Sequence, residues 1–597
     1  MAKKSRKARK LAKQGQIARE TQQAKVAAKQ AAKEAEAAAG GKTDQRSDKS
    51  RLPEKVAIIG GGFSGITTAM TLLRESPIPI EISIIEKRAS NFCGGVAYGL
   101  NSASSCHQTN IAAKRMGIEE DLPTGEYVDP DKVAQRHAMR AQLIKDFDQA
   151  VEFRQNPESS IVRYDDNAVG IDEFSGHVEI QLKGGERVEA DRVVVATCNH
   201  EIKRFPAVSQ ESLDDPEFED RYVSDQWCLQ EKEEIQAIPS DESVLIIGTA
   251  LSAYDAVRTL LTQGHTGPIK MISRNGYEHF RYPEEHNWDD LVLPTPEFAA
   301  MAFLDISPEV WAPVMLKEFR QLTSINFNPQ TGELKRDPWY KRAFNGSKTF
   351  MPEQVLKEWE KYIPNIVENL GVEEYGKYLK KYGALINTLR VGAGDDICQQ
   401  IDDAKKRGQL NVVAADIHEI NKNTDDGVLS LEVQYIAKDD REFTTEKFYA
   451  VISSLCANQD YAKTKDPLWT DLMDKGYTQP HPVGVGVEFN DHIDGLLRGS
   501  NRIYAAGTPA AGENMIKRGQ LGPPAFSVPG MRSSVIATAM SVLSGAVRDR
   551  VEKRFEYFDE IGRQNGRGDS ILGIFARAAT NTGSGEGQHN RQRSRPK

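Results

Sequence analysis

Three glycines, Gly60, Gly62 and Gly65, stand in G-x-G-x-x-G spacing directly after the apolar run Val56 to Ile59 and before the helix-like stretch ITTAMTLL. A strand, a glycine turn and a helix in that order build an anion site, because the first helical N–H groups lack intrahelical partners and face a bound phosphate. Gly60 permits the tight turn, Gly62 lets the backbone approach a pyrophosphate, and Gly65 lets the helix pack closely on the strand. A second apolar run, IEISIIE, ends on Glu86, whose carboxylate can accept hydrogen bonds from a ribose diol. Phe63 and Ser64 in the turn and Lys87 beside the acid complete the candidate contacts of this dinucleotide cradle.

The same order recurs in ESVLIIGTALSAYDAVRTLL, with Gly248, Ala250 and Ala253 at the three glycine positions, Thr249 between the first two, and the strand-like run IKMIS after it. Alanine at the second position adds a methyl group where backbone must approach phosphate, so this repeat is degenerate. Where the first unit has Glu86, the second has Ser273, Arg274 and Asn275. An arginine without an acid at that place suits the 2′-phosphate of NADPH rather than the bare diol of NADH.

The residues after the first cradle carry a resemblance. NFCGGVAYGLNSASSCHQTNIAAKRM resembles the segment of FAD/NAD(P)-binding proteins in which a Gly-x-Ala-Tyr-Gly turn, here Gly95 to Gly99, precedes an Asn-containing loop and a Met. That family includes the flavin-dependent L-aspartate N-monooxygenases that form nitrosuccinate. The resemblance implies FAD in the first cradle, with Gln108, Asn110 and Met116 on the stretch that approaches the flavin. NRIYAAGTPAAGENM resembles the strand and turn that seat it, giving Gly507 and Thr508 as further contacts. DRVVVATCNH resembles an Ala-Thr-Gly turn, with Cys198 in place of the glycine. FEDRYVSDQW lacks the glycine and histidine of a Phe-x-Gly-x-x-x-His fingerprint, which points away from Baeyer–Villiger and generic amine-oxide subclasses.

The elements that must position these residues follow from pattern and composition. At 597 residues the chain exceeds one core, and strand–turn–helix–strand repeated twice predicts an α/β fold with two Rossmann-like dinucleotide-binding domains, the first assigned to FAD by the resemblance and the second to NAD(P)H. The expected boundaries are a basic tail at 1–52, the first part of the FAD domain at 53–240, the NAD(P) domain at 241–460, the rest of the FAD domain at 461–547 and a C-terminal extension at 548–597. Between about residues 294 and 404, segments such as VWAPVMLKEFRQL and QVLKEWEKYIPNIVENL have apolar residues at three- and four-residue intervals and predict a helical insertion. The N-terminal tail reads as disordered or helical, and the end of the C-terminal extension as disordered. The N-terminal one is Lys- and Arg-rich, either a solvated tail or an arm for nucleic acid or an acidic surface. The formal charge of -9 argues against a mainly nucleic-acid-binding body.

No run reaches the roughly 18 apolar residues of a membrane span, and six cysteines without paired spacing (Cys93, Cys106, Cys198, Cys228, Cys398 and Cys456) fit reduced thiols in a cytoplasm. Without a Cys-x-x-Cys, and with no metal-ligand pattern, flavin electrons are expected to reach dioxygen or an organic acceptor. The leading expectation is an NADPH-using flavin monooxygenase that hydroxylates a nitrogen of an amino acid or small amine, no catalytic residue being assignable. The alternatives are a flavin reductase or dehydrogenase without oxygen insertion, and a non-catalytic flavin protein tethered by its basic tail. Candidate clamps for a substrate carboxylate are Arg115, Arg281, Arg390 and Arg532, and the cluster His279, Arg281, His286 and Trp288 follows the second cradle.

Overall fold

The computed structural model describes residues 52–100, 103–197, 205–227, 229–279, 281, 296, 308–323, 326–327, 334–335, 352–390, 392–424, 427–438, 440–455, 459–517 and 528–564. The chain divides into a compact unit, Pro53–Arg550, and a unit made of its ends, Met1–Leu52 with Val551–Lys597. Of the latter only Leu52 and helical residues 551–564 are described.

The runs rich in Val and Ile become strands buried on both faces, as a parallel sheet requires. In the first sheet these are β1 (Glu54–Ile59), β2 (Ile80–Ile85), β3 (Ser160–Tyr164) and β4 (Arg192–Val195), in the order Ile503–Ala505, β4, β1, β2, β3, all parallel. Alternation along β1 divides two cores. Val56 and Ile58 pack with helices α1 (Phe63–Glu75) and α2 (Arg136–Glu152). Ala57 and Ile59 face the antiparallel strands Ala168–Glu173, Val178–Leu182 and Arg187–Ala190.

The second sheet contains β5 (Tyr222–Val223), β6 (Val244–Ile247), β7 (Ile269–Ser273), β8 (Leu410–Asn423), β9 (Ser430–Ala437), β10 (Thr444–Phe448) and β11 (Ala450–Ser453), in the order β5, β11, β6, β7, β8, β9, β10. Its first five strands are parallel, while β9 and β10 extend it antiparallel along the far half of β8. Helix α3 (Leu251–Thr262) follows β6. Because β5 pairs with β11, the second sheet draws on residues upstream of 241.

Between β7 and β8 lie α4 (Pro308–Thr323), α5 (Pro352–Trp359), α6 (Ile363–Leu370), α7 (Val372–Arg390) and α8 (Asp395–Lys406). The first four form the expected insertion around Phe319, Leu356, Trp359, Ile363 and Tyr375. Helix α8 is instead the crossover helix of the second sheet, since Ile397, Cys398, Ile401 and Ala404 pack with Val257, Leu260 and Ile246. After α9 (Pro467–Asp474) and β12 (Ile503–Ala505), α10 (Ala511–Lys517) places Met515 in the insertion's core. The closing helix α11 (Val528–Gln564) continues beyond residue 547. Among the described residues no helix is long and apolar enough to cross a membrane.

Candidate functional site: two dinucleotide cradles

In the first cradle β1 turns at Gly60, whose φ of +110° is open to glycine and strained for other residues. Its N–H donates to the Ile85 carbonyl at 2.8 Å, and a Cβ there would come within 2.6 Å of the Ala196 carbonyl oxygen. A Cβ on Gly65 would overlap the Gly60 carbonyl oxygen, so strand and helix meet at backbone contact. Gly62 is the N-cap of α1, without a side-chain cap or an acidic residue in the first turn, which leaves an electropositive helix end. Two further segments close on this mouth. A Cβ on Gly62 would lie 3.2 Å from Gly95 Cα, and one on Gly507 (φ +80°) would overlap the Ser64 hydroxyl.

Glu86 is buried just past β2, where the Gly61 N–H donates to its Oε2 at 2.8 Å and the Arg88 N–H to its Oε1 at 3.2 Å. Burial raises its pKa above the usual carboxylate range, against the opposing effect of those two N–H groups. Each carboxylate oxygen accepts one bond here and retains capacity for a ribose hydroxyl. Lys87 is exposed beside it, Phe63 is buried under the Arg532 guanidinium 5.7 Å away, and Thr508 is buried after Gly507.

The second cradle repeats the backbone. Gly248 has φ +118° and donates to the Ile272 carbonyl at 2.7 Å, and α3 starts at Ala250, again without a side-chain cap or a first-turn acid. Ala250 is exposed and Ala253 fully buried. Strand register puts Ser273 in the place of Glu86, since Ile247 pairs with Ile272 as Ile59 pairs with Ile85. Its hydroxyl lies 2.9 Å from the Thr249 hydroxyl and accepts from the Gly276 N–H at 3.0 Å, which ties the following turn to the glycine loop. Arg274 is exposed and has no ion-pair partner among the described residues.

Both sites fit a dinucleotide on their own observations. The first has a backbone cradle, two convergent turns and a buried acid; further along the same segment, on α10 after Thr508, Asn514 is buried with its Nδ2 lacking a partner among the described residues. The second has the buried hydroxyls of Ser453 and Ser454, without hydrogen-bond partners among the described residues, at the strand end beside Gly248. A buried polar atom left so keeps its hydrogen-bonding capacity for a ligand. Neither Asn514 nor this serine pair stood out in the sequence, because isolated polar residues after a strand carry no spacing signal.

Other expected residues fall elsewhere. Gln108 lies in Gln108–Ala112, its Nε2 donating to Asp396 Oδ2 of α8 at 2.9 Å; the side chain of Asn110 in the same strand lies outside the described residues. Arg281 pairs with Asp395 at 3.3 Å and Asp402 at 2.7 Å, and Arg532 donates to the Met116 carbonyl at 3.0 Å. Arg115 is half-buried in Ala113–Met116, and His279 is buried edge-on to Tyr254. The Arg390 side chain, His286, Trp288, Cys198, Cys228, Cys456 and the basic tail at 1–51 lie outside the described residues. Cys93, whose N–H donates to the Gly61 carbonyl, is a buried thiol with its pKa pushed up to about 12 by burial, so it offers no thiolate beside the first cradle.

The molecule is thus an α/β protein with two Rossmann-like dinucleotide-binding folds in one compact unit. Residues 57–200 match a family model described as FAD-NAD(P)-binding. No curated protein sequence matches the chain. Among solved structures it is similar to the ornithine N-hydroxylase of Kutzneria sp. 744, with 14% identity and TM-score 0.46 over 82% of this chain and 99% of that one. It is also similar to the cadaverine monooxygenase of Erwinia amylovora, with 12% identity and TM-score 0.47 over 82% and 94% of the two chains. Similarity to the thioredoxin reductase of Lactococcus lactis is of the same order, with 12% identity and TM-score 0.40 over 84% and 99%. Likeness of shape therefore does not choose a reaction.

Proposed function

We propose that the protein is an FAD-dependent, NADPH-using oxidoreductase that hydroxylates a nitrogen of an amino acid or small amine. The observation that carries the two-cofactor reading is the pair of uncapped helix starts, at Gly62 and at Ala250, each behind a positive-φ glycine, the first with buried Glu86 beside it and the second with buried Ser454. The aspartate-specific form of the resemblance belongs to the same proposal and has no clamp assigned to it.

In this reading the N–H groups at the start of α1 hold the FAD pyrophosphate and Glu86 orients its ribose, while Gly507 and Thr508 bring the second segment of the same domain against Ser64. The start of α3 holds the NADPH pyrophosphate and Arg274 its 2′-phosphate. Together the cofactors supply hydride transfer and, with dioxygen, one oxygen atom to the amine, the other leaving as water while NADPH becomes NADP⁺. The insertion contributes dryness, because its core of Trp359, Ile363 and Ile366 packs on Met515 of the helix that follows Thr508. Asn514 on that helix offers a buried amide donor to a small-molecule ligand.

The test is oxygen uptake by the FAD-loaded full chain with NADPH and a panel of amino acids and amines, read together with hydroxylamine formation. Substrate-stimulated uptake with matching product supports the proposal. Oxygen-independent turnover of an electrophile moves it to the reductase class, and a flavin that NADPH does not reduce ends both readings.

A further inference from the structure

Helix α3 has a flank that its place in a Rossmann unit does not explain. Asp255, Arg258 and Thr259 stand at i, i+3 and i+4, so they share one face, and all three are buried. A buried charged face needs partners, and here all but one of them, Asp396 of α8, come from the first domain. Arg136, the first residue of α2, pairs through Nη2 with Asp255 Oδ2 at 2.6 Å, donates through Nε to the Gln108 carbonyl at 2.9 Å, and stacks 4.9 Å from the Trp227 ring. Arg258 donates to the Cys106 carbonyl at 2.9 Å and to Asp396 Oδ2 at 2.8 Å, the same oxygen that accepts from Gln108. His107, buried, has Nε2 3.0 Å from the Thr259 hydroxyl, while its Nδ1 accepts from the Ser104 N–H at 3.2 Å. Two cations meet two anions, and the remaining donors reach backbone carbonyls, so the cluster is charge-balanced.

We infer that α3 is a shared element: its start forms the second cradle, its polar flank is clamped into the first domain, and the clamp fixes the two cradles in one relation and couples their occupancy. Arg136, Asp255 and Arg258 are then positioning residues rather than catalytic ones. Three short contacts from one helix face to the first domain, Asp255 to Arg136, Arg258 to the Cys106 carbonyl and Thr259 to His107, oppose rotation about any single one of them, and a packed, charge-balanced interface has discrete arrangements rather than a continuum. The inference rests on the reading that the start of α3 receives a dinucleotide.

Calorimetry of the full chain saturated with FAD, with and without NADP⁺, tests it. The native chain is expected to unfold its two domains in one transition that NADP⁺ raises as a whole. Replacing the buried pair by apolar groups, Arg136→Met with Asp255→Leu, keeps the volume filled and should divide this into two transitions, of which NADP⁺ raises one. Should that double variant fail to fold, Thr259→Val with His107→Phe removes the second contact more gently. In whichever variant folds, the KM for NADPH should stay within about twofold while flavin reduction slows about tenfold or more. A single transition still raised as a whole, or an unchanged reduction rate in a folded variant, overturns the inference. If NADP⁺ does not stabilise even the native chain, the cradle reading fails, and the number of transitions still judges the clamp.

Discussion

The two glycine turns have nearly the same backbone and very different side-chain requirements. Gly60 and Gly248 differ by 8° in φ (+110° and +118°), both donate to the neighbouring strand, and both lead into uncapped helices. In the first, a Cβ at Gly60 would come within 2.6 Å of Ala196 O and one at Gly65 would overlap backbone, whereas at Gly248 the nearest atom, Ser454 O, is 3.1 Å away and Ala253 already carries its methyl group. The first cradle is therefore built at backbone contact and admits only glycine, while the second stands slightly further open and tolerates alanine. A degenerate motif is here a looser packing of the same turn rather than a lost one.

The largest test of that contrast is Gly65→Ala. Strand and helix would have to separate, and overpacking of this kind costs about 3 kcal/mol. The purified chain should carry little flavin, read from bound-flavin absorbance, with a lower urea midpoint. The matching change Ala253→Gly should cost only about 1 kcal/mol, the helix-propensity difference. Equal effects of the two would erase the distinction.

Next in size is Arg274→Ala. Loss of a charge-assisted phosphate contact of about 1.5–3 kcal/mol should weaken NADPH roughly 10- to 100-fold and leave NADH unchanged. Equal losses for both nucleotides in a titration would remove Arg274 from the 2′-phosphate.

Glu86→Gln probes the acid that the second cradle lacks, and FAD should bind about tenfold more weakly near pH 7. Because the folded pKa of Glu86 is raised, its contribution to stability without FAD is present below the usual carboxylate pKa and is lost as pH rises through the raised value. FAD binding moves the other way over the same window, since the ribose needs the charged acceptor. Glutamine should flatten both profiles, measured as urea midpoints and FAD affinities between about pH 4 and 7.

Thr249→Val should have the smallest effect. It deprives Ser273 of a hydroxyl partner, and stability should fall by about 1 kcal/mol with less than a threefold change in NADPH affinity. A large affinity loss would mean that the Thr249 hydroxyl itself meets the ligand.

Much of this was legible along the chain. Apolar runs bounded by glycine, proline or charged residues placed β1, β2, β6 and β7, and the absence of an acid at Ser273–Arg274 was readable as text. The pattern that predicts an insertion to about residue 404 includes α8, because its period of Ile397, Ile401 and Ala404 is that of any buried helix, and only packing on Val257 and Leu260 tells which core it serves. Asp255, Arg258 and Thr259 carry no signal in the sequence, since a helix sequence does not state whether a polar flank meets water or another domain.

By itself, then, the sequence determined the local elements and the two phosphate-facing turns, because strand burial, positive φ and helix starts depend on residues a few positions apart. Tertiary structure alone decided that Gly507 closes on Ser64, that Asn514, Ser453 and Ser454 are buried without side-chain hydrogen-bond partners among the described residues, and that α3 is clamped by Arg136. Those facts join residues up to 443 positions apart, as Ser64 and Gly507 are, and such contacts follow from the packing of whole sheets and helices that no local spacing records.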